Sequence, residues 1–159
     1  MAIATILKEG HKFLLRRANK NDIESLASLL EELFSIEKDF KVDRKKQLSG
    51  LESLIAADSK NAVLVIENFN QIIGMCSIQI IISTAEGGLV GLIEDMVIKK
   101  AWRYKGLGQA LLNCIIEYAK KNNLLGIKLL ADINNTLALD FYKKMSFERT
   151  SLICFRKNF

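Results

Sequence analysis

The sequence predicts a single domain, an α/β or α+β sandwich built on a mixed sheet, and three observations predict it. The chain has 159 residues, a length that suits one hydrophobic core. Half of the residues are hydrophobic and 26% are charged, with no proline and no Ser/Gly-rich stretch to mark a linker. Strand-like and helix-like periods alternate in the order β-α-α-β-β-β-α-β-α-β, which joins an antiparallel hairpin to a β-α-β crossover. No internal repeat or low-complexity tract interrupts this order.

Residues 1–12 are apolar at first but short, and read as a flexible or loosely packed extension. FLLRRA (13–18) is a short strand. NKNDIESLASLLEELFSIE (19–37) is a helix: Asn21 or Asp22 can cap it, and Ile23, Leu26, Leu29, Leu30 and Leu33 recur at helical spacing. A second helix is predicted over 43–58, weakened by Gly50. NAVLVIEN (61–68) and IIGMCSIQIII (72–82) flank the turn FNQ and form an antiparallel hairpin. After the loop 83–88, LVGLIEDMVIK (89–99) is a third strand in this region, mostly apolar but carrying Glu94 and Asp95. A helix runs from about Gly106 to Lys121 with the stripe Leu107, Leu111, Cys114, Ile115 and Tyr118. GIKLLA (126–131) is a buried strand, 135–145 a helix, and 147–157 supplies one or two last strands.

Formal net charge is +5, which weakly favours a polyanionic ligand: nucleic acid, an acidic membrane face or a phosphorylated cofactor. Cys76, Cys114 and Cys154 lie far apart without CxxC spacing, as free thiols do in a reducing compartment. The start lacks the basic region and cleavage site of a signal peptide, and no run approaches the roughly 18–20 apolar residues of a membrane span. A cytoplasmic protein without a membrane partner is expected. His11 is the only histidine, and no Cys/His cluster has metal spacing, so no metal is expected.

RYKGLGQALL (103–112) carries the most chemistry. The first N–H groups of a helix lack internal partners and sit at the positive end of its dipole. A glycine-marked turn there lets a ligand approach the backbone, and Lys99, Lys100, Arg103 and Lys105 add positive charge. A phosphate or diphosphate fits best. The P-loop pattern GxxxxGK[ST] is absent, and so is GxGxxG, because Leu111 holds the third glycine position. The charges gather at one helix mouth and no array of stacking aromatics accompanies them, which sets nucleic acid aside as a partner.

With its neighbours, the stretch IEDMVIKKAWRYKGLGQALL (93–112) resembles the cofactor motif of the GNAT superfamily of acetyl-CoA-dependent N-acyltransferases. That motif is a strand and a short linker, then [QR]-x-x-G-x-[GA] opening a helix. Arg103, Gly106 and Gly108 fill its defining positions, and Lys100 stands where the linker usually has proline. NTLALDFYKKMSF (135–147) resembles a second signature, N-x-x-A-x-x-[FL]-Y-x-x-x-G-F, through Asn135, Ala138, Phe141, Tyr142 and Phe147, with Ser146 in place of the glycine.

The resemblance implies a GNAT-like mixed, mostly antiparallel central sheet flanked by helices, in one N-acetyltransferase domain over 1–159. It implies acetyl transfer from acetyl-CoA to a primary amine of a small molecule or protein, by direct attack in a ternary complex without a metal. The diphosphate of coenzyme A would lie on the amides of Tyr104, Lys105, Gly106, Leu107, Gly108 and Gln109, beside Arg103. The pantetheine arm would pair with the main chain of Met96, Val97 and Ile98, where a bulge splays this strand from the next. Asn135 would hydrogen-bond the pantetheine, and a strand N–H would steady the oxyanion. Tyr142 matches the tyrosine that protonates the leaving thiolate.

An alkylamine with a pKa of ~10 must also lose a proton before it attacks. Glu94 and Asp95 are the candidate bases. Adjacent residues on a strand point to opposite faces, so one of them faces the acceptor, and Glu94 is favoured, with ordered water as the alternative route. Glu31, Glu32, Glu37, Asp39 and Asp43 cluster with Phe34 and Phe40 in the region that, by resemblance, lines the acceptor entrance. Phe34, Glu37 and Phe40 are the candidate substrate-binding residues of an acidic, aromatic-lipped mouth for a cationic amine. A solvated helix end would have the same composition. A non-catalytic module that senses acyl-CoA would share the cofactor motif, but Tyr142 and Glu94 favour the enzyme. The amine, the acyl-chain length and the oligomeric state, homodimer included, stay open.

Overall fold

The computed structural model describes residues 2–37, 40–56 and 60–159. Its strands are β1 (Ala2–Lys8), β2 (His11–Arg17), β3 (Ala62–Asn68), β4 (Gln71–Ser83), β5 (Gly88–Ile98) and β6 (Ile127–Leu129). Its helices are α1 (Ile23–Phe34), α2 (Arg44–Ala56), α3 (Leu107–Lys121) and α4 (Thr136–Lys144). Among the described residues these strands form one sheet in chain order, antiparallel except for the parallel pair β5–β6. The architecture is the mixed, mostly antiparallel sheet flanked by helices that the resemblance implies.

Two hairpins close on paired left-handed residues. Phe69 and Asn70 have φ of 45° and 62°, and Glu9 and Gly10 have φ of 49° and 77°. A two-residue turn with both φ positive matches the twist of the strands it joins. Asp22 is the N-cap position of α1, though its side chain makes no cap bond to that helix, and Asn19 caps the 3-10 turn Lys20–Asp22 before it. The Asn19 side chain accepts from Asn21 N–H at 2.9 Å, while Asp22 accepts from Asn19 N–H at 2.7 Å, a reciprocal capping box. Arg16 then clamps Asp22 to the sheet at 2.7 Å and reaches Glu67 at 2.6 Å.

The sheet has a core on each face. On one, Leu26, Ala27, Leu29 and Leu30 of α1 and Leu51 of α2 pack on Val63, Val65, Met75 and Val97. On the other, Leu107, Leu111, Leu112, Cys114 and Ile115 of α3 pack on Leu64, Ile66, Ile73 and Ile78. The predicted stripe of α3 is buried as expected except at Tyr118, which is half-buried and donates its hydroxyl to Lys60 O at 2.9 Å.

Two sequence expectations need correcting. Within the expected extension 1–12, residues 2–8 are instead the edge strand β1, in antiparallel register with β2 from Ala2↔Arg16 to Lys8↔His11, and His11 and Lys12 begin β2. The last strands expected over 147–157 are absent. Residues 148–159 carry no strand, and Leu152, Ile153 and Phe155 are exposed. A short apolar run such as 152–155 can fit a strand but does not supply the partner edge. β6 itself is three residues long rather than the predicted six.

Candidate functional site

The site grows from an extra residue in β5. Met75 pairs with Val97, but Ser77 pairs with Glu94, so Asp95 and Met96 together face Cys76 across the ladder. This is a β-bulge, and Asp95 absorbs it with φ 51°, a conformation that Asp tolerates better than most residues. The bulge overturns the expectation that Glu94 and Asp95 point to opposite faces, because the inserted residue resets the alternation. Both carboxylates lie on the Ser77–Gln79 face. Gln79 Nε2 donates to Glu94 at 2.7 Å, and Ser77 Oγ lies 3.4 Å from Asp95 Oδ2. The single Ser77 hydroxyl proton has its better acceptor in Glu94 O at 3.0 Å. Glu94 is exposed. Asp95 is enclosed: burial first, then the charges of Glu94 and Glu37, push its carboxyl up to about 6. A carboxyl raised to about 6 can accept a proton near neutrality.

The bulge also opens the sheet. β5 pairs with β6 only from Gly91↔Ile127 to Ile93↔Leu129. Beyond Ile93, the main chain of Met96, Val97 and Ile98 has β4 on one side and, among the described residues, no strand on the other. This is the wedge that the resemblance implies.

The chain then enters the turn before α3. Lys99 N–H donates to Ile73 O at 2.8 Å, and a short 3-10 turn spans Lys100–Trp102. Tyr104 and Gly106 are left-handed, with φ of 62° and 70°. Among the described residues, none of the backbone N–H groups of Tyr104, Lys105, Gly106, Leu107, Gly108 and Gln109 has an acceptor. The next bonded amide is Ala110, onto Gly106 O at 3.2 Å. A Cβ on Gly108 would rest 3.7 Å from Met96 Cε and 3.8 Å from Phe141 Cζ, ordinary contacts. The chain's own packing therefore does not require glycine there, and the space it leaves is available to a ligand. Unbonded donors at the positive end of a helix fit a diphosphate.

Arg103 differs from the expectation. Its Nε donates to Ile98 O at 2.8 Å and its guanidinium binds Glu32 at 2.8 Å, while Glu32 also accepts Lys100 N–H at 2.9 Å. Arg103 ties the turn to α1 rather than offering a free cation to phosphate. Glu32 is thus a structural partner that sequence spacing could not reveal, since the two residues are 71 positions apart.

Opposite the bulge stands α4. Asn135 caps it, its Oδ1 accepting from Ala138 N–H at 3.1 Å, which leaves the exposed amide NH2 as a donor. Tyr142 donates its hydroxyl to Met96 Sδ at 3.8 Å. Burial first, then Cys76 and Glu37, push the phenol up to about 12, so it keeps its proton at neutral pH. The helix ends in a Schellman motif: Phe147 N–H binds Tyr142 O and Ser146 N–H binds Lys143 O, both at 3.0 Å, with the Tyr142 and Phe147 rings 5.8 Å apart. Ser146 takes the left-handed position with φ 65°, so the turn keeps the geometry that a glycine there would give. Ser146→Gly is expected to raise stability by roughly 1 kcal/mol in urea unfolding, because the Cβ strain disappears.

The predicted acceptor residues lie nearby. Phe34 and Phe40 stack with centroids 5.2 Å apart, and Arg156 sits 5.3 Å over Phe40. Glu37 acts electrostatically on both Asp95 and Tyr142. The acidic mouth is narrower than its composition suggests: Glu31 binds Arg44, Glu32 binds Arg103, and Asp43 pairs with Lys46. Asp39 lies outside the described residues. Among the described residues no group of three or more His, Cys, Asp or Glu side chains is arranged to hold a metal ion. No described helix is long and apolar enough to cross a membrane.

A sequence model of the acetyltransferase (GNAT) family matches residues 23–147. The chain belongs to this family. Its match contains the bulge, the open turn and α4, the parts that make the wedge. Among curated GNAT relatives, an uncharacterised N-acetyltransferase of Archaeoglobus fulgidus is 24% identical over 136 residues, covering 85% of this chain and 92% of the relative. Another, from Methanocaldococcus jannaschii, is 35% identical over 72 residues, covering 45% of this chain and 32% of the relative. The matched stretches span about a third of the length of the first curated relatives. Among solved structures, an aminoglycoside N-acetyltransferase AAC(6')-Iy in complex with CoA superposes with a TM-score of 0.81 at 17% identity, covering 96% of this GNAT chain and 99% of its own.

Proposed function

We propose that this GNAT chain is an acetyl-CoA-dependent N-acetyltransferase that acts on a primary amine. The observation that carries the reading is the open edge of β5 past Ile93, followed in sequence by six amides without acceptors. Acetyl-CoA, when bound, supplies an activated acetyl thioester on a phosphorylated handle. The amides of residues 104–109 hold its diphosphate, and the main chain of Met96 and Val97 aligns its pantetheine arm, the Ile98 carbonyl being taken by Arg103 Nε. The amide NH2 of Asn135 donates to the same arm. Phe34, Glu37 and Phe40 receive the acceptor and favour a cationic one. Asp95, ionised above a pH of about 6, takes the amine proton directly or through water. Tyr142, protonated at working pH, gives a proton to the departing sulfur.

Thiol release from acetyl-CoA, followed across polyamines, aminoglycosides, amino acids and peptides, tests this reading. Release that depends on an amine is the expected result. Tight CoA binding with no release from any amine would identify a sensor module instead.

A further inference from the structure

We infer that Lys8, the last residue of β1, is a diphosphate-binding residue, and that the β1–β2 hairpin belongs to the donor side of the site. The inference rests on the proposed reading of the 104–109 turn. It adds a residue outside the stretch 23–147 matched by the family.

The hairpin is fixed to the turn by its own packing. His11 and Phe13 meet Trp102 edge-on, with centroids 5.4 Å and 5.5 Å apart. Lys105 Nζ lies 2.8 Å from Glu9 Oε2 and 5.7 Å over the Trp102 ring. These contacts place the end of β1 at the mouth of α3. Lys8 Nζ occupies the space beside Gly106, where a Cβ added to that glycine would collide with it.

Lys8 is in an unfavourable position for an empty protein. An ammonium at a helix N-terminus faces the positive end of the dipole and a run of unbonded N–H groups. Glu9 beside it attracts Lys8 through space but makes its bond elsewhere. Among the described residues Lys8 has no carboxylate partner, and the adjacent Glu9 is bonded to Lys105. Arg103 is likewise bonded to Glu32. Of the basic residues in the turn, Arg103 and Lys105 are therefore already paired, while Lys8, reaching it from β1, is not. A diphosphate lying on the turn would convert the repulsion into a charge-assisted contact. Gly106 then serves twice: it permits φ 70° and it leaves room for the lysine.

Titration calorimetry on Lys8→Met with CoA, 3′-dephospho-CoA and pantetheine tests the inference, alongside thermal unfolding. Both diphosphate ligands are expected to bind roughly ten-fold more weakly than to the natural chain, with pantetheine unchanged. The ligand-free variant is expected to melt at the same or a higher temperature, while CoA stabilises it less. Lys8→Arg should restore most of the affinity. Natural protein that binds CoA with Lys8→Met binding it equally would overturn the inference alone. Natural protein that fails to bind CoA would overturn the reading beneath it. A loss confined to CoA and absent for dephospho-CoA would move Lys8 to the 3′-phosphate and refute the diphosphate assignment. A lower melting point, with pantetheine affinity falling as well, would make Lys8 structural only.

Discussion

Tyr142→Phe is expected to lower kcat by roughly 10²–10⁴-fold, the range of a positioned general acid, while CoA affinity stays within about two-fold. The substitution removes one oxygen and keeps the ring between Phe141 and Phe147, at centroid distances of 5.3 Å and 5.8 Å. The hydroxyl's partner is a thioether sulfur at 3.8 Å, a weak acceptor, so its loss costs little fold stability. A phenol raised to about 12 also predicts that the activity does not decline through tyrosine ionisation between pH 7 and 10. Steady-state kinetics with calorimetric CoA binding check both statements. An undiminished kcat would return Tyr142 to the role of a core aromatic.

Asp95→Asn is expected to stabilise the fold and disable the enzyme together. The carboxyl stands at about 6 in the folded chain against an ordinary 3.8. A raised carboxylate pKa means that its full contribution is present below about pH 4 and is lost as pH rises to about 6. Above that, ionised Asp95 costs the fold on the order of 2–3 kcal/mol. A neutral isostere removes this cost, so the variant should be more stable at pH 8 by about 2 kcal/mol, and the difference should vanish near pH 4. Urea unfolding across that range measures it. The natural enzyme should lose activity on the acid side with a midpoint near 6. The variant should lose that limb and fall about 10²-fold in kcat/KM. Survival of the limb in Asp95→Asn, with its loss in Glu94→Gln, would hand the role to Glu94.

What could be read from the chain depended on how local the cause was. The hairpin β3–β4, the α1 stripe and the α3 stripe follow from periods within a dozen residues. The open turn and Tyr142 follow from motif spacing within one stretch. The resemblance implied a bulge in β5, but its effect on Glu94 and Asp95 escaped because alternation assumes a regular ladder, and only the pairing with Ser77 and Met75 places the extra residue. Arg103 was placed beside the diphosphate by its motif position, and its ion pair with Glu32 was not legible because Glu32 lies on α1, far away in sequence. β1 was passed over because an edge strand buries little, and Leu7 in it is 77% exposed. The reverse error occurred at 147–157, where strand-forming residues had no edge waiting for them.

The brevity of the β5–β6 ladder has a dynamic consequence. Three residue pairs join β6 to the sheet, and α4 beyond it contains no fully buried side chain. Local opening of a segment is easiest where its contacts are fewest. The segment from β6 through α4 is therefore held to the sheet more loosely than the strands β2–β5 are held to one another. It carries Asn135 and Tyr142, and it closes one side of the gap, so a molecule seated there would stiffen the very part that acts on it.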